Sequence, residues 1–234
     1  TEPSFIITDD FNRNQMLDLV VVNSGGHSFS FYKGNGDGSF NEQLVYKTGR
    51  GPICLAAEDY NKDGYKDIAV LNYEDQTIQI FLNTKLGSFK KTNQTLKPGK
   101  IPINMISGDF NNDGSQDMLI AYRVDDPRDN AEDLHPRFFQ ILGGDELTTS
   151  ELILDGCSSG EMMTTLDFNL DGVVDLAVLP TKSVKTISGE AVDSNICFFQ
   201  GSESGLDVTS WNSLDYIDNS STIDLNNFAV TSLD

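Results

Sequence analysis

One nine-residue motif recurs along this chain and limits the folds that the chain can adopt. The motif has the form D-aromatic-N-x-D-G-x-x-D and reads DYNKDGYKD at residues 59–67, DFNNDGSQD at 109–117 and DFNLDGVVD at 167–175. A looser copy, DFNRNQMLD, occupies residues 10–18, and Asp234 stands where a fifth copy would begin. Tandem repetition with a period of about 50 residues is typical of propellers and other folds in which each unit packs against its neighbours.

Short apolar runs flank every copy of the motif. Each copy is preceded by a run such as FIIT or ICLAA and followed by one such as DLVVVN or DIAVLN; a third run, such as FSFYKG or TIQIFLN, comes next. A fourth run is weaker, as in QLVYKT and SELILDG. Four short strands per unit predict an all-β propeller of four-stranded antiparallel blades. We expect a single propeller region over residues 1–234, with units starting near residues 3, 52, 102, 160 and 227 and about four and a half blades.

The motif supplies the oxygen ligands that calcium requires. Calcium takes about six to eight oxygen atoms, which a tight loop with alternating ligands can provide. Positions 1, 3, 5 and 9 offer side-chain oxygens, position 7 offers its backbone carbonyl, and the glycine at position 6 permits the sharp turn. A solvated acidic turn is the alternative for one copy, but it explains four aligned copies poorly. The predicted ligands of four Ca²⁺ ions are Asp10, Asn12, Asn14, Met16 and Asp18; Asp59, Asn61, Asp63, Tyr65 and Asp67; Asp109, Asn111, Asp113, Ser115 and Asp117; and Asp167, Asn169, Asp171, Val173 and Asp175.

An EF-hand shares the opening of this motif but not its continuation. An EF-hand requires a bidentate glutamate at position 12, between two helices. Position 12 is Val70, Ile120 or Val178 in the three strong copies, and each lies in a strand-like run. The copies also differ from one another, because the first has Asn14 and Gln15 where the others have aspartate and glycine. We expect the first site to bind calcium most weakly.

The charge of the chain excludes some classes of partner. The 36 acidic and 16 basic residues give a formal net charge of −20, which argues against nucleic acid and against anionic membrane surfaces. No apolar run approaches the length of a membrane-spanning helix. Cys54 lies in an apolar run and is expected to be a buried free thiol, whereas pairing of Cys157 with Cys197 stays open. The sequons at Asn93 and Asn219 support secretion only weakly.

The four motifs resemble the FG-GAP/VCBS repeats of the integrin α-subunit propeller and of many secreted proteins. The segment GNGDGSF at residues 34–40 is similar to that family's turn between outer strands, and LGSF at 86–89 is a degenerate partner. The resemblance implies that each motif joins the first and second strands of a blade and that calcium there is structural. Since such propellers usually have seven blades, it also implies that these residues belong to a larger ring, completed by a longer chain or a partner. The implied location is extracellular or at the cell surface.

Two insertions are the candidate partner-binding segments. They occupy residues 123–137 and 181–195, and strand order places them at the end of the blades opposite the calcium loops. We expect a calcium-binding extracellular module for adhesion, protein–protein interaction or assembly. A glycan-binding propeller using Trp211 and an accessory domain of a larger secreted enzyme are the alternatives. His27 and His135 have no nucleophile at a catalytic spacing, so we do not expect enzymatic activity in this segment.

Overall fold

The described residues form four four-stranded antiparallel sheets and one short two-stranded hairpin. The computed structural model describes residues 2–98, 101–123, 137–144, 148–153, 162–179, 184–185, 191–192 and 197–207. Within these ranges there is no α-helix, and one 3₁₀ turn spans Ser24–Gly26. No helix in the described ranges is long and apolar enough to cross a membrane. The all-β blade architecture predicted from the sequence is therefore confirmed.

Each sheet is a blade of four strands in chain order, paired with their neighbours. Blade 1 contains β1 (Pro3–Asp9), β2 (Asp18–Asn23), β3 (Ser28–Tyr32) and β4 (Leu44–Lys47); blade 2 contains β5 (Pro52–Glu58), β6 (Asp67–Asn72), β7 (Thr77–Asn83) and β8 (Phe89–Leu96); blade 3 contains β9 (Pro102–Gly108), β10 (Asp117–Tyr122), β11 (Arg137–Leu142) and β12 (Thr148–Ile153); blade 4 contains β13 (Met162–Leu166), β14 (Asp175–Leu179), β17 (Cys197–Ser202) and β18 (Gly205–Asp207). A separate hairpin pairs β15 (Val184–Lys185) with β16 (Ala191–Val192).

In blades 2, 3 and 4 the second strand is buried on both faces, which explains its uninterrupted apolar sequence. In β6, Ile68 and Val70 pack into a core shared with blade 1, whereas Ala69 and Leu71 pack into a core shared with blade 3. Alternate side chains of a strand point to opposite faces of the sheet, so one strand contributes to two cores. The hydrophobic cores of the described blades lie between the sheets. Each blade is consequently stabilised by its neighbours.

Aromatic side chains fill the space between blades 1 and 2. Phe89, at the start of β8, is 6% exposed and lies between the rings of Phe11 and Phe31, with centroid distances of 5.6 and 5.2 Å. Its backbone N–H donates to the Tyr46 hydroxyl at 3.1 Å. Phe40 occupies the matching place in the outer turn of blade 1 but is 44% exposed. The same turn residue is thus a core side chain in blade 2 and a surface side chain in blade 1.

Several predictions from the sequence fall outside the described residues. These are Cys157, Trp211, Asn219, His135, most of the two insertions and the fifth unit near residue 227. Cys54 is buried and free, as predicted, and burial raises the pKa of its thiol to about 12. Cys197 is disulfide-bonded, and Asn93 is exposed on β8.

We predict that Phe89→Ala lowers the free energy of unfolding by about 3–5 kcal/mol, because it removes a buried ring and leaves a cavity between two blades. Phe40→Ala is the matched control and should cost less than about 1 kcal/mol, since the ring is largely in water. Urea unfolding followed by circular dichroism measures both. Equal losses in the two variants would contradict the packing described for blades 1 and 2.

Candidate metal-binding loops

The four repeated motifs form one set of equivalent loops. Each loop connects the first strand of its blade to the second, as the resemblance implied, so all four lie at the same end of their sheets. The structure thus brings the predicted ligands of each copy together within one loop of nine residues. They form four separate sites, because successive loops belong to different blades.

The backbone of the loop is the same in all four copies. Position 4 has a left-handed conformation, with φ of 57° at Arg13, 57° at Lys62, 54° at Asn112 and 60° at Leu170. Position 6 is also left-handed, with φ from 75° to 87° at Gly64, Gly114 and Gly172. The first loop adopts this turn at Gln15, with φ of 67°, although it lacks the glycine. A side chain at this φ costs on the order of 1 kcal/mol, so the first loop retains the fold of the others at an energetic cost.

The carboxylate at position 1 closes the turn. In the second loop, Asp59 accepts the N–H groups of Asp63 at 3.0 Å and of Gly64 at 2.6 Å, one on each oxygen. The other loops repeat this pair of bonds at 2.6 to 3.1 Å. The side chain at position 5 then accepts the N–H of position 7, as Asp63 does from Tyr65 at 3.0 Å. Acidic residues at positions 1 and 5 therefore shape the loop by binding backbone donors.

The side-chain amide of the asparagine at position 3 donates to a different acceptor in the first loop than in the other three. In the three strong copies its amide donates to the aspartate at position 5, for example from Asn61 to Asp63 at 3.3 Å. In the first loop Asn12 donates instead to both oxygens of Asp18, at 3.2 and 3.0 Å. Asn14 stands in the first loop where the other copies have the aspartate that receives this bond.

The aspartate at position 9 is fully buried in every blade. Asp18, Asp67, Asp117 and Asp175 are each 0% exposed. Each accepts the N–H of a residue near the end of the third strand, at 2.9 Å from Gly34, 2.7 Å from Asn83, 2.8 Å from Gly143 and 2.9 Å from Gly201. This bond fastens the loop to the third strand of its own blade.

Burial raises the pKa of these position-9 carboxylates. The pKa of Asp67 and of Asp117 rises to about 6, and that of Asp18 and of Asp175 rises as well. Loss of solvation is the largest cause in each case, and the other loop carboxylates add repulsion, although backbone N–H donors oppose the rise. The acidic loops therefore hold a charged group that the protein alone does not fully stabilise.

The second loop contains a buried oxygen without a donor. In blades 3 and 4 the second oxygen of the position-9 aspartate accepts the N–H of position 2, at 2.9 Å from Phe110 and 3.1 Å from Phe168. In blade 2 the Tyr60 N–H lies close enough to Asp67 to lower its pKa, but it donates to the Glu58 carbonyl at 3.1 Å. Oδ2 of Asp67 is therefore buried without a well-formed hydrogen bond. A buried carboxylate oxygen of this kind is costly unless a donor or a cation compensates it.

The composition of the loops fits a hard cation. The predicted ligands are carboxylate, amide and backbone carbonyl oxygens, the chemistry that calcium selects. Within the described ranges, however, no set of three His, Cys, Asp or Glu side chains is arranged as a metal site. Instead, the side chains at positions 1 and 5 accept backbone N–H groups, and the amide at position 3 donates to a carboxylate. The unpartnered Oδ2 of Asp67 is the observation that favours a cation at the second loop.

Two basic side chains near the second loop were not predicted from the sequence. The guanidinium of Arg13 lies 4.8 Å from the centroid of the Tyr65 ring, and the ammonium of Lys85 lies 5.6 Å from it. Lys85 also contacts Oδ2 of Asp63 at 3.4 Å. Arg13 belongs to the first loop and Lys85 to the outer turn of blade 2, so the sequence of the second motif gives no sign of either contact.

The fold and the loops together define a β-propeller with acidic loops between the first and second strands of its blades. The FG-GAP-like repeat family matches residues 10–70 and 59–120. Residues 10–120 are thus FG-GAP-like repeats, and the family predicted from the motifs is confirmed.

Comparison with solved structures supports the same fold. The structure matches 54 chains, among them a chain from the "Crystal structure of BBS1N in complex with ARL6DN, soaked with lead". That match has a TM-score of 0.52 and 10% sequence identity, and it covers 88% of this chain and 67% of the other. At this identity the likeness concerns the fold alone. No curated protein matches the sequence.

We predict that Gln15→Gly raises the free energy of unfolding by about 0.5–1 kcal/mol, because glycine removes the cost of the left-handed backbone and the lost side chain is exposed. Gly114→Gln is the converse variant at the same loop position, where an added side chain meets open space. It should be destabilising by a similar amount. Chemical denaturation in the presence of EDTA measures both, and a loss of stability in Gln15→Gly would contradict the backbone assignment.

We also predict that the protein without divalent metal is more stable at pH 5 than at pH 7.5. The folded pKa of Asp67 and Asp117 is about 6, above the usual value near 3.8, so folding favours their protonated forms. Their contribution is fully present below the unfolded pKa and is lost as the pH rises through the folded pKa. The expected difference is on the order of 1–3 kcal/mol. Urea unfolding in EDTA measures it, with the Asp67→Asn/Asp117→Asn variant as the control that should show a smaller pH dependence.

Proposed function

We propose that this chain is a calcium-stabilised extracellular propeller module that binds a protein partner. The observation that carries the proposal is the common architecture of the four loops, each with oxygen ligands around a fully buried aspartate. Asp67 supports it most directly, because one of its buried oxygens has no donor. Calcium would supply positive charge to carboxylates that the protein only partly stabilises, and it would thereby hold the two strands of each blade at the loop. Loop by loop, the ligands are those predicted from the motif.

The charge balance of the chain favours this proposal. Eleven of the 36 acidic side chains stand at the predicted ligand positions. Four divalent ions would reduce the formal net charge from −20 to −12. Repulsion among loop carboxylates destabilises the compact state, so a bound cation in each loop would increase stability as well as complete the sites. The first loop, with two carboxylates, is expected to contribute least.

An extracellular location is supported by two features. Cys197 is disulfide-bonded, and disulfide bonds persist chiefly in oxidising compartments. Calcium sites in extracellular modules typically function at roughly 10⁻⁴ to 10⁻³ M, so loops with affinities in that range would be filled outside the cell.

The partner surface is proposed at the end of the blades opposite the loops. The long connection of blade 3 joins β10 to β11 at that end. Tyr122, the last residue of β10, pairs there with Arg137, the first residue of β11. Leu179, which ends β14, and Cys197, which begins β17, lie at the same end of blade 4, and the connection between them contains the β15–β16 hairpin. The BBS1N structure is a complex with a second protein, which is compatible with an interaction role for the fold. Long connections on a rigid scaffold are frequent binding elements.

We predict that calcium raises the midpoint of thermal unfolding. At a free concentration about 100 times the dissociation constant, one site adds about 2.7 kcal/mol to the stability of the folded state. Asp113→Ala should lose part of the gain, because it removes a carboxylate from the third loop. Asp37→Ala is the control, since it removes an exposed carboxylate from an outer turn. The measurement is differential scanning calorimetry across a calcium series with EDTA and magnesium references.

Two outcomes would contradict the proposal. An unfolding midpoint that is independent of calcium would exclude structural metal sites in the loops. Equal gains with calcium and magnesium, unchanged in Asp113→Ala, would indicate general screening of negative charge.

If the calcium response is as expected, deletion of residues 186–190 from the inserted hairpin would test the proposed partner surface. The measurement is a pull-down from extracellular fractions, with thermal stability as the check on folding.

A further inference from the structure

Among the ion pairs formed by the described residues, only one involves a predicted calcium ligand. Lys85 Nζ lies 3.4 Å from Oδ2 of Asp63, the position-5 carboxylate of the second loop. The other two pairs join Arg50 to Asp75 and Lys66 to Asp9, and none of these four residues is a predicted ligand. Lys62 also acts electrostatically on Asp113 of the third loop, but among the described loops only the second has a close ion pair at a predicted ligand.

The outer turn of blade 2 holds Lys85 in this position. Lys85 has a left-handed backbone, with φ of 66°, and its N–H donates to the Asn83 side chain at 2.9 Å. The neighbouring Leu86 carbonyl accepts from Lys33 of blade 1 at 3.0 Å, which fastens the turn to the adjacent blade. The Asn83 amide in turn donates to the Phe11 carbonyl at 2.8 Å. The turn is thus fixed at two points, and its lysine extends toward the loop.

The lysine is peculiar to this blade. The corresponding turns begin at Gly34, Gly143 and Gly201, whose N–H groups bond the position-9 aspartate as that of Asn83 does. Their sequences GNGDGSF, GGDEL and GSESG contain no basic residue, whereas the blade 2 turn reads NTKLGSF. The geometry points to Lys85 as a built-in counter-ion of the second loop, which competes with the divalent cation for Asp63 and lowers the affinity of this loop.

This inference rests on the proposed calcium binding and concerns the repulsion between the Lys85 ammonium and a bound cation. The side chain of Lys85 is 50% exposed and that of Asp63 is 22% exposed, so the pair is screened and contributes little to stability by itself. A divalent cation bound at the loop would lie close to the ammonium, and the two would repel each other. Removing the positive charge should tighten binding roughly 3- to 10-fold at low ionic strength. The effect should shrink at high salt, where the charges are screened.

Terbium luminescence can report on the second loop alone. Tyr65 is at position 7, and the nine-residue loops of blades 1, 3 and 4 contain neither tyrosine nor tryptophan. Tyr60, at position 2 of the same loop, can also sensitise terbium, so the part of the emission that Tyr65→Phe removes is the signal of this site. The experiment compares the terbium midpoint and its displacement by calcium in wild-type protein, in Lys85→Met and in Lys90→Met, at low and high salt. Lys90 is an exposed lysine of the same blade and is the matched control.

The expected result is tighter terbium and calcium binding in Lys85→Met, little change in Lys90→Met, and a smaller difference at high salt. Midpoints within twofold of wild type in Lys85→Met would overturn the inference, as would equal shifts in both lysine variants. Calcium-dependent thermal stability without Tyr65-dependent emission would overturn the inference and leave the proposed function standing. Absence of both signals would overturn both.

Discussion

The structure depends on a carboxylate that is buried at the start of the second strand of every blade. This aspartate, at position 9 of the motif, receives the N–H group at the end of the third strand and, in blades 3 and 4, the N–H of position 2. One side chain therefore joins the two ends of its loop to a third segment that lies 16 to 26 residues away. Its burial has an energetic cost, because ionised carboxylates are poorly solvated in a protein interior. A cation bound in the loop, as proposed above, would offset this cost.

The aromatic residue at position 2 connects these loops to the cores between blades. Phe11 and Phe110 are buried in the cores that blades 1 and 3 share with the next blade. Tyr60 packs at the edge of the core between blades 2 and 3, where its hydroxyl bonds to Ser107 at 2.8 Å. Position 2 immediately follows the first carboxylate of the loop, so loop geometry and blade packing cannot change independently. Any cation that rigidifies a loop would also fix the aromatic side chain that links two blades.

Much of this arrangement was predictable from the sequence. The motif, its spacing and the apolar runs on both sides of it predict the first three strands of each blade, because local pattern determines them. The outer strands were harder, since Phe89–Leu96 is mostly polar and Gly205–Asp207 has only three residues. Because Gln15 stands where the other copies have glycine, the sequence predicted a first loop less suited to a sharp turn. The backbone of this loop is nevertheless the same as in the other three. The approach of Lys85 to Asp63 was beyond sequence reasoning, because it depends on how an outer turn is placed over a loop some 20 residues earlier.

The meander order of the strands has a consequence for how the chain acquires its structure. Each strand of a described sheet pairs with strands close to it in the chain, apart from the long connections of blades 3 and 4. Pairing between close segments requires little loop-closure entropy and is fast. A newly synthesised blade can therefore form its hydrogen bonds while the next blade is still being translated. Its second apolar face is covered only when that next blade arrives, so the growing end always exposes a sheet surface capable of aggregation. The blades are in that sense assembled in chain order. The species most prone to aggregation are partly synthesised chains whose last complete blade still has one uncovered apolar face.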